Sequence, residues 1–221
     1  MSTILVAEDL SKTYVDGSGR REVLSGVSFT LERGQVIALC GPSGSGKTTL
    51  LNLVAGLLEP DGGRIRLDTR EGEKWIAPAS QRERLLVRRR HMGYVFQFFN
   101  LVPTLTVLEN VLLPLELSGR GELVERALAR LDVLGMDGQK QQFPDRLSGG
   151  ERQRTAIARA LAHEPSLVLA DEPTGNLDRD NARRVIDLLW HEVRALNSAL
   201  LVATHDPAVA ERADRVIRFD Q

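Results

Sequence analysis

Apolar and polar residues alternate along the first part of the chain, which is the pattern of strands that bury one face. An unbroken apolar run follows at residues 36–40, and then a helical pattern stops at Glu59-Pro60-Asp61-Gly62-Gly63. Shorter apolar segments and one strongly charged segment lead up to Gln97. The pattern predicts strands over 4–10, 22–31, 36–40, 64–68, 74–77 and 92–96, and helices over 47–57 and 80–90.

The middle of the chain has a helical pattern, and its last third alternates between two kinds of element. From residue 102 to residue 135 the helical signal is interrupted by Pro103, Gly119 and Gly121. Apolar strands and amphipathic helices then take turns, which is typical of a layered α/β fold with a parallel sheet. The pattern predicts a helix from 148 to about 163, strands over 167–170, 199–203 and 215–219, and helices over 181–196 and 207–212.

The composition narrows the classes of partner. The 221 residues carry 29 Lys+Arg and 30 Asp+Glu, and the net charge of -1 indicates neither a nucleic acid nor an anionic membrane. We interpret the arginine-rich segment 82–90 as a solvated helix face, and a salt-sensitive DNA-binding assay distinguishes this from a DNA contact. The single cysteine, Cys40, excludes an intramolecular disulfide and is predicted to be a small core residue.

The sequence contains no candidate for a membrane span or a secretory signal. The most apolar segment, residues 111–115, is broken by Pro114 and is far shorter than the roughly 18 apolar residues of a span. The N-terminus lacks a basic region followed by a long apolar stretch. We therefore expect a cytoplasmic chain whose membrane role, if it has one, comes through another subunit.

A glycine-rich loop separates the apolar run at 36–40 from the helix that follows it. Its sequence, Gly41-Pro42-Ser43-Gly44-Ser45-Gly46-Lys47-Thr48, has the spacing G-x-x-x-x-G-K-[ST] of a phosphate-binding loop. Glycines let backbone N–H groups turn toward phosphate oxygens, and the helix adds its positive N-terminus. We expect Lys47 to reach the β and γ phosphates of a nucleotide and the Thr48 hydroxyl to hold Mg²⁺.

Three other predicted strands end in side chains that suit phosphate chemistry. Asp171 and Glu172 fit a partner of Mg²⁺ and a general base for an attacking water. His205 can donate to a γ phosphate, and Gln97 can bridge Mg²⁺ or water to the helical part of the chain. Ligands of open α/β folds bind at the carboxyl ends of the strands, so the shared location favours a functional role for all four residues.

A second anion-binding element is predicted at residues 147–154. Ser148-Gly149-Gly150 opens a helix, so its backbone N–H groups, its hydroxyl and the helix dipole favour an anion. The alternative is an N-capped helix with no ligand. If both elements hold one triphosphate, the nucleotide is sandwiched within one chain or between two, and the spacing leaves both arrangements open.

In combination these motifs resemble the ATPase subunit of ATP-binding-cassette systems. The resemblance spans almost the whole chain and rests on residues 41–48, Gln97, 147–151, 167–172, Gly175-Asn176-Leu177-Asp178 and His205, in that order. Residues 96–103 and 172–178 are most similar to the branch of lipoprotein-releasing, macrolide-exporting and cell-division ATPases. The implied fold is a P-loop NTPase (RecA-like) α/β core with an N-terminal antiparallel β subdomain and an inserted α-helical subdomain. One domain over 1–221 is expected, with core and β subdomain at 1–97 and 164–221 and the helical subdomain at 98–163.

The resemblance also implies the cofactors ATP and Mg²⁺ and a head-to-tail dimer. Ser148 and Gly150 of one subunit would contact the γ phosphate that Lys47 of the other holds, and Asp178 would link the two sites. Tyr14 would stack on adenine. The implied ATP-binding residues are Tyr14, Gly41, Pro42, Ser43, Gly44, Ser45, Gly46, Lys47, Thr48, Thr49, Ser148, Gly149, Gly150 and Asp178; the Mg²⁺ residues are Thr48, Gln97 and Asp171; the catalytic residues are Glu172, His205, Gln97 and Lys47.

The expected output of such an ATPase is work on a membrane permease, at the cytoplasmic face of the inner membrane. Phe98, Phe99 and Leu101 would form a groove for a cytoplasmic helix of the permease, or they would pack inside the helical lobe. The sequence departs from the family pattern at Glu151, where glutamine is commoner, and at 69–80, which is long for this branch.

Other functions fit these motifs less well or remain open. An ATPase that drives a non-transporting membrane partner, as in cell division, has the same motifs. DNA-repair and chromosome ATPases separate the two halves by a long insertion, whereas Gly41 to His205 is continuous here. A P-loop kinase or GTPase leaves residues 147–154 unexplained.

Overall fold

A computed structural model describes residues 2–17 and 19–219, which form two sheets with associated helices. The strands are β1 (Thr3–Asp16), β2 (Gly19–Glu32), β3 (Val36–Cys40), β4 (Gly62–Thr69), β5 (Gly72–Ala77), β6 (Met92–Val95), β7 (Leu167–Asp171), β8 (Ala199–Thr204) and β9 (Arg215–Arg218). The α-helices are α1 (Lys47–Val54), α2 (Gln81–His91), α3 (Val107–Ser118), α4 (Val124–Val133), α5 (Gly149–Leu161), α6 (Arg179–Ala195) and α7 (Pro207–Ala210). The predicted α/β class is confirmed.

Five strands form a parallel sheet in the order β6-β7-β8-β3-β9. The central strands β3, β7 and β8 are nearly continuous apolar runs, and β8 is buried along its whole length because both faces of the sheet are covered there. Successive residues of β3 serve two different cores. Val36 and Ala38 belong to the core that includes α3 to α6, and Ile37 and Leu39 to the core shared with α1.

The second sheet is antiparallel, in the order β2-β1-β4-β5, and its apolar face covers α1. Strands β1 and β2 are longer than predicted, since their pairing continues through Tyr14, which lies opposite Arg21. These outer positions are polar or exposed on both faces, so they lack the alternation by which a strand is recognised. The long segment 69–80 contains the β4–β5 turn and strand β5, and it leads into Ser80, which caps α2.

Helices α3, α4 and α5 lie between β6 and β7 in the chain and pack on one another. The predicted helical signal begins near residue 102, but α3 begins only at Val107. The buried Asn110 amide holds the preceding segment outside the helix, donating to Val102 O at 3.1 Å and Leu105 O at 3.0 Å. Helix α3 has only 12 residues, and within 2–17 and 19–219 no helix is long and apolar enough to cross a membrane.

A buried ion pair fastens the helices between β6 and β7 to α6. The Arg130 Nε of α4 donates to Glu192 Oε2 of α6 at 2.8 Å, and its Nη1 donates to Leu161 O at 3.1 Å. Glu164 adds a second carboxylate, 4.0 Å from Arg130 Nη2. Removing one partner of such a buried pair leaves a charge without compensation, which is costlier than removing both.

We predict that Glu192→Leu lowers the free energy of unfolding by about 3 kcal/mol, measured by urea denaturation, because Arg130 loses its closest carboxylate. The double variant Arg130→Met, Glu192→Leu should recover most of this loss. Asp187→Asn is the control, since its ion pair with Arg212 is exposed and contributes about 0–1 kcal/mol. Equal losses in the single and double variants would contradict this account.

Candidate active site

The predicted phosphate and carboxylate residues meet at one edge of the parallel sheet. Pairing aligns Cys40 at the end of β3 with Thr204 at the end of β8, and Asp171 at the end of β7 with Ala203. The residues that follow these strand ends therefore leave the sheet side by side. The edge brings together the phosphate loop after β3, the two carboxylates at the end of β7 and His205 after β8.

The phosphate loop holds its lysine in a folded-back position. Lys47 is only 6% exposed, and its Nζ donates to Gly41 O at 2.7 Å and Pro42 O at 2.9 Å. The Ser45 hydroxyl oxygen is buried and, among the described residues, has no hydrogen-bond partner. A phosphate bound in the loop would satisfy the Ser45 hydroxyl and draw the lysine ammonium from two backbone carbonyls to an anion.

The backbone of this loop requires glycine. Gly46 caps α1 with φ of 100°, and no side chain caps the helix, so its first N–H groups stay available to an anion. A Cβ at residue 46 would lie 3.0 Å from Val23 O and from a side-chain atom of Leu24. Strand β2 therefore packs directly against the phosphate loop at Gly46. The Lys47 ammonium, the Ser45 hydroxyl and the first N–H groups of α1 are donors that fit a nucleotide phosphate.

Thr48 and Asp171 form the part of the edge that suits a cation. The Thr48 hydroxyl donates to Asp171 Oδ1 at 3.1 Å, and burial raises the pKa of the Asp171 carboxyl above its ordinary value, although the Thr48 hydrogen bond opposes this. Within the described ranges no group of three or more His, Cys, Asp and Glu side chains could hold a metal. The Thr48 hydroxyl and the Asp171 carboxylate are oxygen donors of the kind that Mg²⁺ prefers, and a Mg²⁺ held here would need further ligands beyond these two.

Glu172 and His205 form a close pair. The His205 Nδ1 lies 2.9 Å from Glu172 Oε2, and the His205 backbone N–H donates to the same oxygen at 3.4 Å. Glu172 has φ of 44°, a left-handed conformation that is unfavourable for glutamate and is found most often at functional sites. Its backbone N–H donates to Ala203 O of β8 at 2.9 Å, which holds it in place. The pair can accept a proton at the carboxylate and orient a donor at the imidazole.

Gln97 lies against the segment that follows Glu172. Its backbone carbonyl accepts a hydrogen bond from Asn176 Nδ2 at 2.7 Å, and a Cβ on Gly175 would lie 3.3 Å from Gln97 Nε2. The structure therefore joins Gln97 to residues 172–176. Asn176 was not among the residues that sequence reasoning selected individually, because an asparagine in a loop carries no signal of which backbone carbonyl it will bind.

The second predicted anion element begins α5 and is capped from within. The Ser148 hydroxyl accepts from the Glu151 N–H at 3.4 Å and donates to Glu151 Oε2 at 2.6 Å, which lowers the pKa of Glu151. Glu151, the departure from the family pattern, thus completes a capping box. Gly150 leaves room for Asn181, whose Oδ1 would be 3.0 Å from a Cβ there.

The two anion elements pack in different cores of the chain. Helix α5 belongs to the core that includes α3, α4 and α6, and α1 belongs to the core under the antiparallel sheet. Helix α5 packs mainly on α3, α4, α6 and β6, whereas α1 packs on β7 and β8. Asp178 caps α6 by accepting the Asn181 N–H at 2.9 Å, so it lies beside the first turn of α5 rather than at the phosphate loop. The structure brings Ser148, Gly149, Gly150 and Asp178 together, and it brings Lys47, Thr48, Asp171, Glu172 and His205 together.

Tyr14 lies near the phosphate loop at the outer end of β1. It is 40% exposed and sits opposite Arg21 of β2, whose Nη2 donates to Gly44 O at 3.2 Å. A flat ring beside the phosphate loop has room to stack on a nucleotide base. Arg21 was missed by the sequence analysis, because only the β1–β2 register places it against the loop.

Residues 24–175 match the family model described as ABC transporter, which is more than half of the chain. The chain belongs to the ABC transporter family. An uncharacterized ABC transporter ATP-binding protein of Mycobacterium tuberculosis (strain H37Rv) is 48% identical to this ABC ATPase over 98% of this chain and 86% of the relative. The lipoprotein-releasing system ATP-binding protein LolD of Legionella pneumophila (strain Paris) is 46% identical over 97% of this chain and 93% of its own length.

Solved structures agree with the sequence comparison. The dimeric MJ0796, a bacterial ABC transporter cassette, matches with a TM-score of 0.86 and 37% identity over 97% of this chain and 94% of that one. A dimeric post-hydrolysis state of MJ0796 bound to ADP and Pi matches with a TM-score of 0.84 and 34% identity over the same shares. The predicted family, fold and ATP-hydrolysing activity of this ABC ATPase are confirmed.

We predict that Gly46→Ala weakens ATP binding about 5- to 150-fold, because a strained backbone position costs about 1–3 kcal/mol. Equilibrium binding of ATP, measured with the folded variant, tests this. Gly138→Ala is the matched control, since no heavy atom lies within 4 Å of its Cβ position and its φ is not in the left-handed region. Unchanged affinity in Gly46→Ala would show that the phosphate loop tolerates a Cβ.

Proposed function

We propose that this ABC ATPase pairs head-to-tail with a second copy around two ATP molecules and drives a membrane permease in lipoprotein release or export across the cell envelope. The observation that carries the pairing is that the two anion elements of one chain pack in different cores. A second copy can supply Ser148 to Gly150 to the phosphate loop of the first. The dimeric state of the MJ0796 cassette supports this arrangement.

In this proposal each group at the sheet edge has one role in hydrolysis. Lys47 and the loop N–H groups would neutralise phosphate charge, and Mg²⁺, held by Thr48, Asp171 and Gln97, would supply further neutralisation when bound. Glu172 would accept the proton of the attacking water, a role that contributes about 10²- to 10⁴-fold in rate. His205, 2.9 Å from that carboxylate, would orient the water and the γ phosphate.

The second copy would complete the site. Its Ser148, Gly149 and Gly150 would donate to the γ phosphate. Asp178, which lies beside them, would link the two ATP sites of the dimer. A charge-assisted contact contributes about 1.5–3 kcal/mol, so losing one at each of the two sites weakens the association of the two copies about 10²- to 10⁴-fold. Hydrolysis then opens the pair, and Tyr14 holds the adenine near the loop.

The names of the relatives and one exposed surface support the proposed permease partner and location. Relatives named as LolD belong to lipoprotein-releasing systems, and we assign the same class of work to this chain, at the cytoplasmic face of the inner membrane. Phe98 is 70% exposed, so it is not packed inside the helical part of the chain. We propose that it joins Phe99 and Leu101 in the permease contact, and that residues 98–163 act as a helical subdomain within the 1–97 and 164–221 core.

We predict that Glu172→Gln binds ATP, loses at least about 10²-fold in hydrolysis rate and accumulates as a dimer, because closure persists when the general base is removed. Light scattering with and without ATP measures the mass. Adding Gly149→Asp, which places a negative charge at the start of α5 while favouring that helix, should restore the monomer. A Glu172→Gln chain that is monomeric with ATP bound would contradict the pairing.

Mixing two inactive variants tests whether the site is shared. Lys47→Ala removes the phosphate ligand and Gly149→Asp disables the second element, so each should lack ATPase activity alone. In a head-to-tail pair of one of each, one site regains both intact elements, and activity should reappear in the mixture. If each site were built within one chain, the mixture would stay inactive.

We predict that Phe98→Asp retains ATP binding and basal hydrolysis but loses stimulation by the permease that co-purifies with the wild-type chain, since a charge replaces an exposed apolar contact. Phe143→Asp is the control, because Phe143 is also exposed, at 46%, and lies elsewhere in the chain. Retained stimulation in Phe98→Asp would place the permease on another surface. Identification of the co-purified membrane protein defines the substrate class.

A further inference from the structure

Arg159, in the last turn of α5, contacts the turn that follows Gln97. Its Nη2 donates to Phe99 O at 2.8 Å, and its Nη1 donates to Asn100 O. Both acceptor residues have left-handed backbone conformations, with φ of 61° at Phe99 and 48° at Asn100. Two successive non-glycine residues in this region are strained, so they persist only where the surroundings hold them. The guanidinium fork supplies that hold.

The charge of Arg159 is not used for an ion pair. Burial lowers the pKa of its guanidinium to about 10, and within 2–17 and 19–219 no carboxylate lies within 4.0 Å of it. Its hydrogen bonds go to the backbone carbonyls of Phe99 and Asn100. An apolar residue of similar size would avoid the desolvation cost, so the contacts of Arg159 are better explained by the turn they shape than by stability.

The same turn is held from its other end at Gln97. Asn176 donates to Gln97 O at 2.7 Å, and Gly175 lies against the Gln97 amide. The backbone from Gln97 to Asn100 is therefore fixed between residues 175–176 on one side and α5 on the other. Ser148 to Gly150 begin the same helix, about 15 Å from Arg159 at 1.5 Å per residue.

We propose that Arg159 is a positioning residue for Gln97, through which the Mg²⁺ and water site is linked to the helix that carries the second anion element. The inference rests on the role proposed above for Gln97. A rigid α5 would transmit a shift of the Gln97 turn to Ser148 to Gly150, because the fork joins both to one helix. Lysine is not equivalent, since a single ammonium lacks the planar fork.

The test is a double-mutant cycle read out by the Mg²⁺ concentration for half-maximal ATPase activity of the full chain. Arg159→Met should raise that concentration about 10- to 100-fold, as expected for a misplaced catalytic group, while ATP affinity without Mg²⁺ stays within about twofold. Gln97→Ala should have a similar effect, and the double variant should be no worse than either single one. Arg159→Lys should fall between wild type and Arg159→Met.

Arg120→Met is the matched control. Arg120 is also half-buried and donates to a backbone carbonyl, His163 O at 2.9 Å, just beyond the end of α5. Its other polar neighbour is the Glu71 carboxylate at 3.7 Å, and neither partner belongs to the Gln97 turn. Its Mg²⁺ dependence should stay within about twofold of wild type. Thermal unfolding of each variant checks the fold, and Arg159→Lys carries the test if Arg159→Met does not fold.

The outcomes separate the two proposals. If Gln97→Ala raises the Mg²⁺ requirement but Arg159→Met and Arg159→Lys do not, or if their effects add to that of Gln97→Ala, the positioning role of Arg159 is overturned while that of Gln97 stands. If Gln97→Ala leaves the Mg²⁺ requirement unchanged, the role proposed for Gln97 is wrong and the inference falls with it. An equal effect in Arg120→Met also overturns the inference, because the loss would then reflect the helical packing in general.

Discussion

The parallel pairing of β7, β8 and β3 is the constraint on which the active site depends. Its register aligns Cys40 with Thr204 and Asp171 with Ala203, so the three strands end within one residue of each other and Gly41, Glu172 and His205 follow at one edge. A slip of one residue would send each strand's core residues to the opposite face, and both faces of this sheet are buried. The hydrophobic packing that fixes the register thereby fixes the chemistry at the sheet edge.

The polar groups of the phosphate loop are already in place for an anion. Lys47 is nearly buried and rests on two loop carbonyls, while the Ser45 hydroxyl has no partner among the described residues. The helix dipole and free N–H groups of α1 face the same point. These groups are costly to bury without an anion, so the fold keeps them together at the expense of local stability.

The location of the two anion elements in different cores suits a site that opens and closes. The first turn of α5 is held against Asn181 and the segment 176–178, whereas the phosphate loop is held against β2. Polar contacts also join segments that are distant in the chain: the buried pair of Arg130 with Glu192, the Asn176 contact with Gln97 and the Arg159 fork.

Patterns read along the chain predicted the α/β class, most elements and the side chains that meet at the sheet edge, namely the phosphate loop, Asp171, Glu172 and His205. Continuous apolar strands, helical periodicity and glycine spacing are local patterns, so they can be read along the chain. Three contacts became visible only in the folded chain: Arg21 donates to Gly44 O, Asn176 donates to Gln97 O, and Arg159 donates to the turn that follows Gln97. These partners are backbone carbonyls, which every residue has, so the sequence cannot mark them. The packing of distant segments determines which carbonyl meets which side chain.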